Sequence, residues 1–227
     1  MGEARTWDRA RWLWFAALVG GVSFFWAVLE RWDGPAIHLW KTSGVALLAL
    51  WAAANARETD GRLIAAALGF GALGDWLLDA VGMLQGAAAF ATGHLIAIAL
   101  YLRNRRPSLS GSQKLLVFGT VPLALLIAWG LTRAAEPMLM GAAIAYTGGV
   151  AVMAATAWAS RFPRYRTGIG AMLFLASDLF IFAGEGGTLA KSVTMWLVWP
   201  LYFGGQALIA WGVVSTLSRE ADDNARG

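Results

Sequence analysis

Apolar residues in this chain run in blocks of about twenty, separated by short charged stretches. Neither the period-two alternation of a half-buried strand nor the polar stripe of a soluble amphipathic helix interrupts them. Segments 12–29, 80–102, 115–132, 137–160 and 192–218 contain no Asp, Glu, Lys or Arg. Three more are apolar but broken by charge: 35–54 by Lys41, 63–81 by Asp75 and Asp79, and 167–183 by Asp178. A bilayer's hydrocarbon core takes about 20 such residues per helix. The pattern therefore predicts an all-α, polytopic membrane bundle of eight transmembrane helices, at roughly 12–30, 35–54, 62–81, 85–102, 114–132, 137–160, 166–183 and 192–217, forming one integral membrane domain over residues 1–227. A soluble helical bundle would need polar outer faces, which the long uncharged runs do not supply.

Loop charges orient this bundle. With the N-terminus cytoplasmic, the inside segments carry fourteen of the eighteen Lys and Arg: Arg5, Arg9, Arg11, Arg57, Arg62, Arg103, Arg105, Arg106, Lys114, Arg161, Arg164, Arg166, Arg219 and Arg226. The outside loops carry Arg31, Arg133 and Lys191, and Lys41 lies within a span. This bias obeys the positive-inside rule and requires an even number of helices, with both termini cytoplasmic. Trp12, Trp14, Trp51, Trp158 and Trp211 fall toward inner ends; Trp26, Trp32, Trp76, Trp129, Trp196 and Trp199 fall toward outer ends, as in an aromatic belt. The basic N-terminal stretch and the apolar run after it are read as a retained first helix. The run is long, no small-x-small cleavage site follows it, and cleavage would leave an odd helix count.

Composition narrows the classes further. Of 227 residues, 58% are hydrophobic and 14% charged, against about 45–50% and roughly 25% in soluble domains. A disordered chain is excluded by the hydrophobicity. The absence of cysteine excludes a disulfide scaffold and a thiolate metal site. A net charge of only +4, spread over short loops, argues against nucleic acid as a partner.

The two halves share an ordered similarity. Lys41-Thr42-Ser43-Gly44-Val45-Ala46 in the second span matches Tyr146-Thr147-Gly148-Gly149-Val150-Ala151 in the sixth. Gly74-Asp75 in the third matches Ser177-Asp178 in the seventh, and Gly93-His94 in the fourth matches Gly205-Gln206 in the eighth, at offsets of 105, 103 and 112 residues. Four helices per half would make this a parallel 4+4 repeat about an axis along the membrane normal. It would gather Lys41, Asp75 and His94 opposite Tyr146, Asp178 and Gln206. Selection for small residues at helix contacts produces similar patterns.

Ionisable residues inside a span cost roughly 2.5–3.5 kcal/mol at the helix centre on insertion scales, and so mark function by default. At 1.5 Å per residue, Lys41 lies about 9 Å past Pro35, while Asp75 and Asp178 lie roughly 8 Å from the outer ends of their helices. His94 and Tyr146 come nearer the midplane. A Lys and two Asp at like depth predict one polar site, and two carboxylates in unequal surroundings are a usual source of an acid and a base. A structural ion pair locking three helices is the bland alternative. Asp79, four residues after Asp75, shares its helix face at the outer rim. Tyr146, Tyr202 and Gln206 can hydrogen-bond at the site or simply pack, and Pro200 predicts a kink in the eighth helix. Two histidines, His38 and His94, cannot build a three-histidine zinc site; a mixed Asp/His site has no spacing signature here, and no metal or cofactor is expected.

Gly74-Asp75-Trp76-Leu77-Leu78, Phe90-Ala91-Thr92-Gly93-His94-Leu95 with Tyr101 after it, and Leu173-Phe174-Leu175-Ala176-Ser177-Asp178 together resemble the lysoplasmalogenase family of eight-helix membrane proteins, the bacterial YhhN type. The resemblance spans the second to the eighth helix. Its loosest match is Lys41, because the family's lysine is often followed by proline and here Thr42 follows. The resemblance implies a site of Lys41, Asp75, His94, Ser177 and Asp178, and an enzyme of the bacterial inner membrane. It further implies hydrolysis of the vinyl ether bond of lysoplasmalogens to a fatty aldehyde and glycerophospho-ethanolamine or -choline. Asp75, Asp178 and His94 would then be catalytic, with Asp178 as acid. Lys41, Ser177, Tyr146, Tyr202, Gln206 and Asp79 would bind a lysophospholipid. A transporter or proton-coupled carrier is the competing class, since parallel repeats and midplane polar residues serve carriers too. Gly- and Ala-rich faces would also permit a homodimer among the membrane lipids.

Overall fold

A computed structural model describes residues 10–225; Arg5, Arg9 and Arg226 of the inside charge set lie outside them. Eight helices make up the described residues: α1 (Arg11–Glu30), α2 (Pro35–Asn55), α3 (Thr59–Ala80), α4 (Met83–Arg103), α5 (Gly111–Thr132), α6 (Pro137–Ala159), α7 (Ile169–Glu185) and α8 (Lys191–Asn224). Starts follow local chemistry. Pro35 and Pro137 open α2 and α6, where a missing N–H costs nothing. Ser110 and Gln113 close a capping box on α5, satisfying two otherwise orphaned donors.

Each of the eight spans, α7 counted with the turn before it, is long and apolar enough to cross a bilayer, and the outside of the bundle is correspondingly greasy. Trp12, Val19, Leu84, Leu115, Phe118 and Met138 are each more than 65% exposed. Soluble monomers do not display so continuous an apolar surface; this is an integral membrane protein.

Inside, small residues let backbones meet. A methyl group on Gly170 would lie 2.7 Å from the Gly205 carbonyl oxygen, and one on Gly205 would lie 2.7 Å from that of Gly170. That reciprocal contact locks α7 to α8. Between α1 and α2, a methyl group on Gly44 would lie 3.0 Å from the Gly21 Cα, and one on either glycine would run into the Phe203 ring. Trp51 and Trp199, expected in the interfacial belt, belong instead to the core, at 2% and 5% exposure. The Trp199 indole N–H donates to the Gly21 carbonyl at 2.7 Å, a partner reachable because Gly21 has no side chain.

Polar ties define the two ends of the bundle. At the face where α8 ends, the terminal face, Arg57 pairs with Asp222 and Arg103 with Asp60, both at 2.8 Å. Asn104 donates to Asp60 at 2.7 Å and accepts from Arg161, which also pairs with Glu220. The loops after α2, α4 and α6 thus converge with the end of α8 on this terminal face. At the opposite face Thr188 reaches the Leu131 carbonyl at 2.7 Å and Lys41 pairs with Asp79.

Two elements differ from the hydropathy pattern. The eighth helix continues seven residues past 217 to Asn224, because Glu220 and Asp222 find arginine partners in neighbouring loops. A π-helical turn, Arg164–Gly168, leads into α7. There Thr167 is fully buried, and its hydroxyl fills the space a side chain on Gly212 would need.

Candidate active site

Asp75, one of the two charges that break the apolar run of α3, and Asp178, which breaks that of α7, are both buried, at 2% and 6% exposure. By helical rise they lie about 8 Å and 10 Å from the ends of α3 and α7 at the opposite face. Each is met by a tyrosine. The Tyr202 hydroxyl donates to Asp75 Oδ2 at 2.7 Å, a bond wholly inside the protein. The Tyr146 hydroxyl stands beside Asp178, whose Oδ2 has no hydrogen-bond partner in the protein. Each phenol also lies within electrostatic reach of the other carboxylate. Four helices, α3, α6, α7 and α8, therefore build one cluster.

His94 of α4 completes it. Its ring packs edge-on against Tyr146 and Phe174, with centroids at 5.7 Å and 5.0 Å, and its Nε2 has no partner in the protein. Phe174 contacts Tyr202 at 5.2 Å, and Phe90 contacts Tyr202 at 5.8 Å. Aromatic rings thus fill the space between the two aspartates and keep their surroundings apolar. Gln206, one turn beyond Tyr202, lies beside the Tyr202 hydroxyl. Its amide nitrogen also occupies the space over Gly71, 2.8 Å from where a Cβ would be.

Lys41 is placed differently. Its ammonium donates to both oxygens of Asp79, at 2.8 and 3.0 Å, and the two side chains are 15% and 23% exposed. Asp79 is thus the direct partner of Lys41, and the pair sits at the rim above Asp75 with the lysine charge still felt there. Ser177, fully buried, donates to the Val198 carbonyl at 2.9 Å. That bond ties α7 to α8 next to Asp178. Among the described residues, no three of His, Asp and Glu gather where they could hold a metal ion.

Sequence reasoning passed over Phe90 and Phe174. Each carried a signal: Phe90 stands four residues before His94 and Phe174 four before Asp178, one helical turn away on the same face.

The YhhN family model matches residues 36–213 of the chain, the stretch that contains every residue of this cluster. Lysoplasmalogenases of Mycobacterium bovis and Mycobacterium tuberculosis are each 32% identical over 194 residues, covering 82% of this chain and 72% of theirs. No solved structure matches. A match that takes in α2 to the greater part of α8, on a bundle of eight apolar helices with its buried carboxylates on α3 and α7, places the chain in the YhhN family.

Proposed function

We propose that the protein is a membrane-embedded lipid hydrolase that cleaves the vinyl ether bond of lysoplasmalogens, releasing a fatty aldehyde and glycerophospho-ethanolamine or -choline. The observation that carries this reading is the pair of buried carboxylates, each beside a tyrosine, in a chain similar to lysoplasmalogenases over four-fifths of its length.

The chemistry suits two carboxylates in different roles. Asp178, with an oxygen free of protein partners, delivers a proton to the outer alkene carbon and leaves an oxocarbenium ion. Asp75, anchored by Tyr202, supplies the nearby negative charge that stabilises this cation. Water then adds its oxygen to the oxocarbenium carbon and passes a proton to Asp75. The hemiacetal so formed collapses as its hydroxyl proton moves to the departing glycerol oxygen. Proton transfer from Asp75 back to Asp178, relayed by His94 or the tyrosines between them, restores the starting state. Lys41 and Asp79 at the rim present one charge of each sign to a zwitterionic head group. Ser177 acts through position, holding the Asp178 turn against α8.

Orientation belongs to the same proposal. The terminal face, rich in arginine, is cytoplasmic, so the carboxylates lie in the outer half of the membrane and a lipid enters sideways with its tail in the bilayer. A parallel 4+4 relation between the halves is supported by two reciprocal packings, α2 on α8 and α4 on α6. The packings of α5 on α7, α1 on α8 and α3 on α8 have no counterparts of similar extent between α1 and α3, α4 and α5, and α4 and α7, so the two halves differ there.

The test is product identity. Purified protein is incubated with vinyl ether, alkyl ether and acyl lysolipids, and products are read by mass spectrometry. Aldehyde from the vinyl ether alone is expected. Fatty acid from the acyl lipid, with no aldehyde, would replace this reading with an esterase. Uptake of unaltered lipid into proteoliposomes would replace it with a carrier.

A further inference from the structure

Two buried polar atoms on α4 have no hydrogen-bond partner in the protein: His94 Nε2 and the Tyr101 hydroxyl. Seven residues separate them, two turns of helix, so both leave the same face of α4. Tyr101 is the one nearer the terminal face, and helical side chains lean toward their N-terminus, which brings its ring back toward His94. Both groups line one cavity of about 30 Å³, bounded also by Gln206 and by Gly71, Gly93 and Ala97, whose small size leaves the space open. A cavity holds a water once it offers about 10–15 Å³ to the water's centre, provided polar partners are present; a wholly apolar one stays dry. This cavity has room for about two waters, and three polar side chains stand among its otherwise apolar walls. It lies on the terminal-face side of the carboxylates, away from the rim at Lys41 and Asp79.

We infer that this cavity is a water site, with His94 Nε2, the Tyr101 hydroxyl and Gln206 as its ligands, and that it delivers the water consumed in hydrolysis. The delivery step rests on the hydrolase reading above; the water site itself does not. The arrangement separates the two reactants. Lipid comes from the opposite half of the membrane and fills that side with its own apolar tail. Ordered water waits behind His94 and meets the oxocarbenium carbon from the other side, with His94 fixing its approach.

X-ray radiolytic hydroxyl-radical labelling reads buried water without reference to activity. In the purified wild-type protein Tyr101, only 1% exposed, is expected to label at no less than about a tenth of the rate of Tyr165, which is 69% exposed. Phe162, fully buried outside the cavity lining, stays unlabelled. Ala97→Leu fills the cavity and is expected to reduce Tyr101 labelling at least tenfold and kcat at least tenfold, with KM within about twofold. If that variant does not fold, Tyr101→Phe keeps the volume and removes one ligand. Labelling is then read on Met153, which also lines the cavity, and should fall several-fold together with kcat. A wild-type Tyr101 as silent as Phe162 would overturn the water site. Loss of labelling with kcat unchanged would overturn delivery. A protein that labels at Tyr101 yet releases no aldehyde keeps the water site and removes the hydrolase reading.

Discussion

The Tyr202 hydroxyl donates a hydrogen bond to Asp75 Oδ2 deep inside the protein. A hydrogen bond to a charged group contributes about 1.5–3 kcal/mol, so Tyr202→Phe is expected to lower aldehyde release roughly 10- to 150-fold while leaving the folded protein intact. Steady-state rates on purified variant and wild type check this, and equal rates would remove Tyr202 from the mechanism. Lys41 makes a contrasting case. Its pairing with Asp79 is partly exposed, and such pairs contribute about 1 kcal/mol or less. Lys41→Met is therefore expected to raise KM for a zwitterionic lysolipid several-fold with little change in melting temperature, measured by kinetics and thermal unfolding. Asp75, Asp178, Lys41 and His94 are conspicuous in the sequence because a charge or an imidazole interrupts an apolar run. The partners are less legible. That Lys41 faces Asp79 depends on the rotation of α2 against α3, which spacing within one helix does not encode. Phe90 and Phe174 are faint for the opposite reason: they shape the site with side chains the membrane selects everywhere else, and only their spacing of one turn from His94 and Asp178 marks them.

Between helices, glycine sets the spacing on which the site depends. Gly170 and Gly205 bring α7 and α8 into backbone contact, which fixes Asp178 relative to Tyr202 and Gln206. A methyl group on Gly205 would press on backbone, the Gly170 carbonyl oxygen at 2.7 Å and the Phe174 nitrogen at 3.1 Å, and backbone cannot swing aside as a side chain can. Gly205→Ala is expected to cost about 1–3 kcal/mol and to reduce activity through misplaced groups. Gly130, in the last turn of α5 with nothing within 4 Å of its added carbon, supplies the control. Gly130→Ala should be neutral or stabilising by up to about 1 kcal/mol. Thermal unfolding of both variants in detergent tests the pair of outcomes, and equal behaviour would contradict the packing argument. The eight helices are legible from apolar run length alone, since a bilayer imposes one length on every span. The extension of α8 to Asn224 and the π-helical turn Arg164–Gly168 are not. Both are held by tertiary partners, the arginines of neighbouring loops and the space over Gly212, which local polarity disguises as loop.

For the molecule as a whole, the proposed orientation rests on the arginines gathered on the terminal face, and it sets from which leaflet a lipid would reach the carboxylates. The chain has no cysteine, so single cysteines can be placed without other changes. Ser108→Cys, exposed in the loop between α4 and α5, is expected to react with an impermeant maleimide only after the membrane is opened. Asp33→Cys, exposed between α1 and α2, should react in intact cells. The reverse pattern would invert the topology and move the carboxylates to the inner leaflet. Topology, site and family converge on one claim, that a buried carboxylic acid on α7 starts the cleavage of a vinyl ether within the membrane. The measurement that tests it most directly is aldehyde release from a vinyl ether lysolipid by purified, folded Asp178→Asn protein beside wild type. General acid catalysis contributes about 10²–10⁴-fold, and a fall of that size in the variant is the expected result. Release at the wild-type rate would contradict the account.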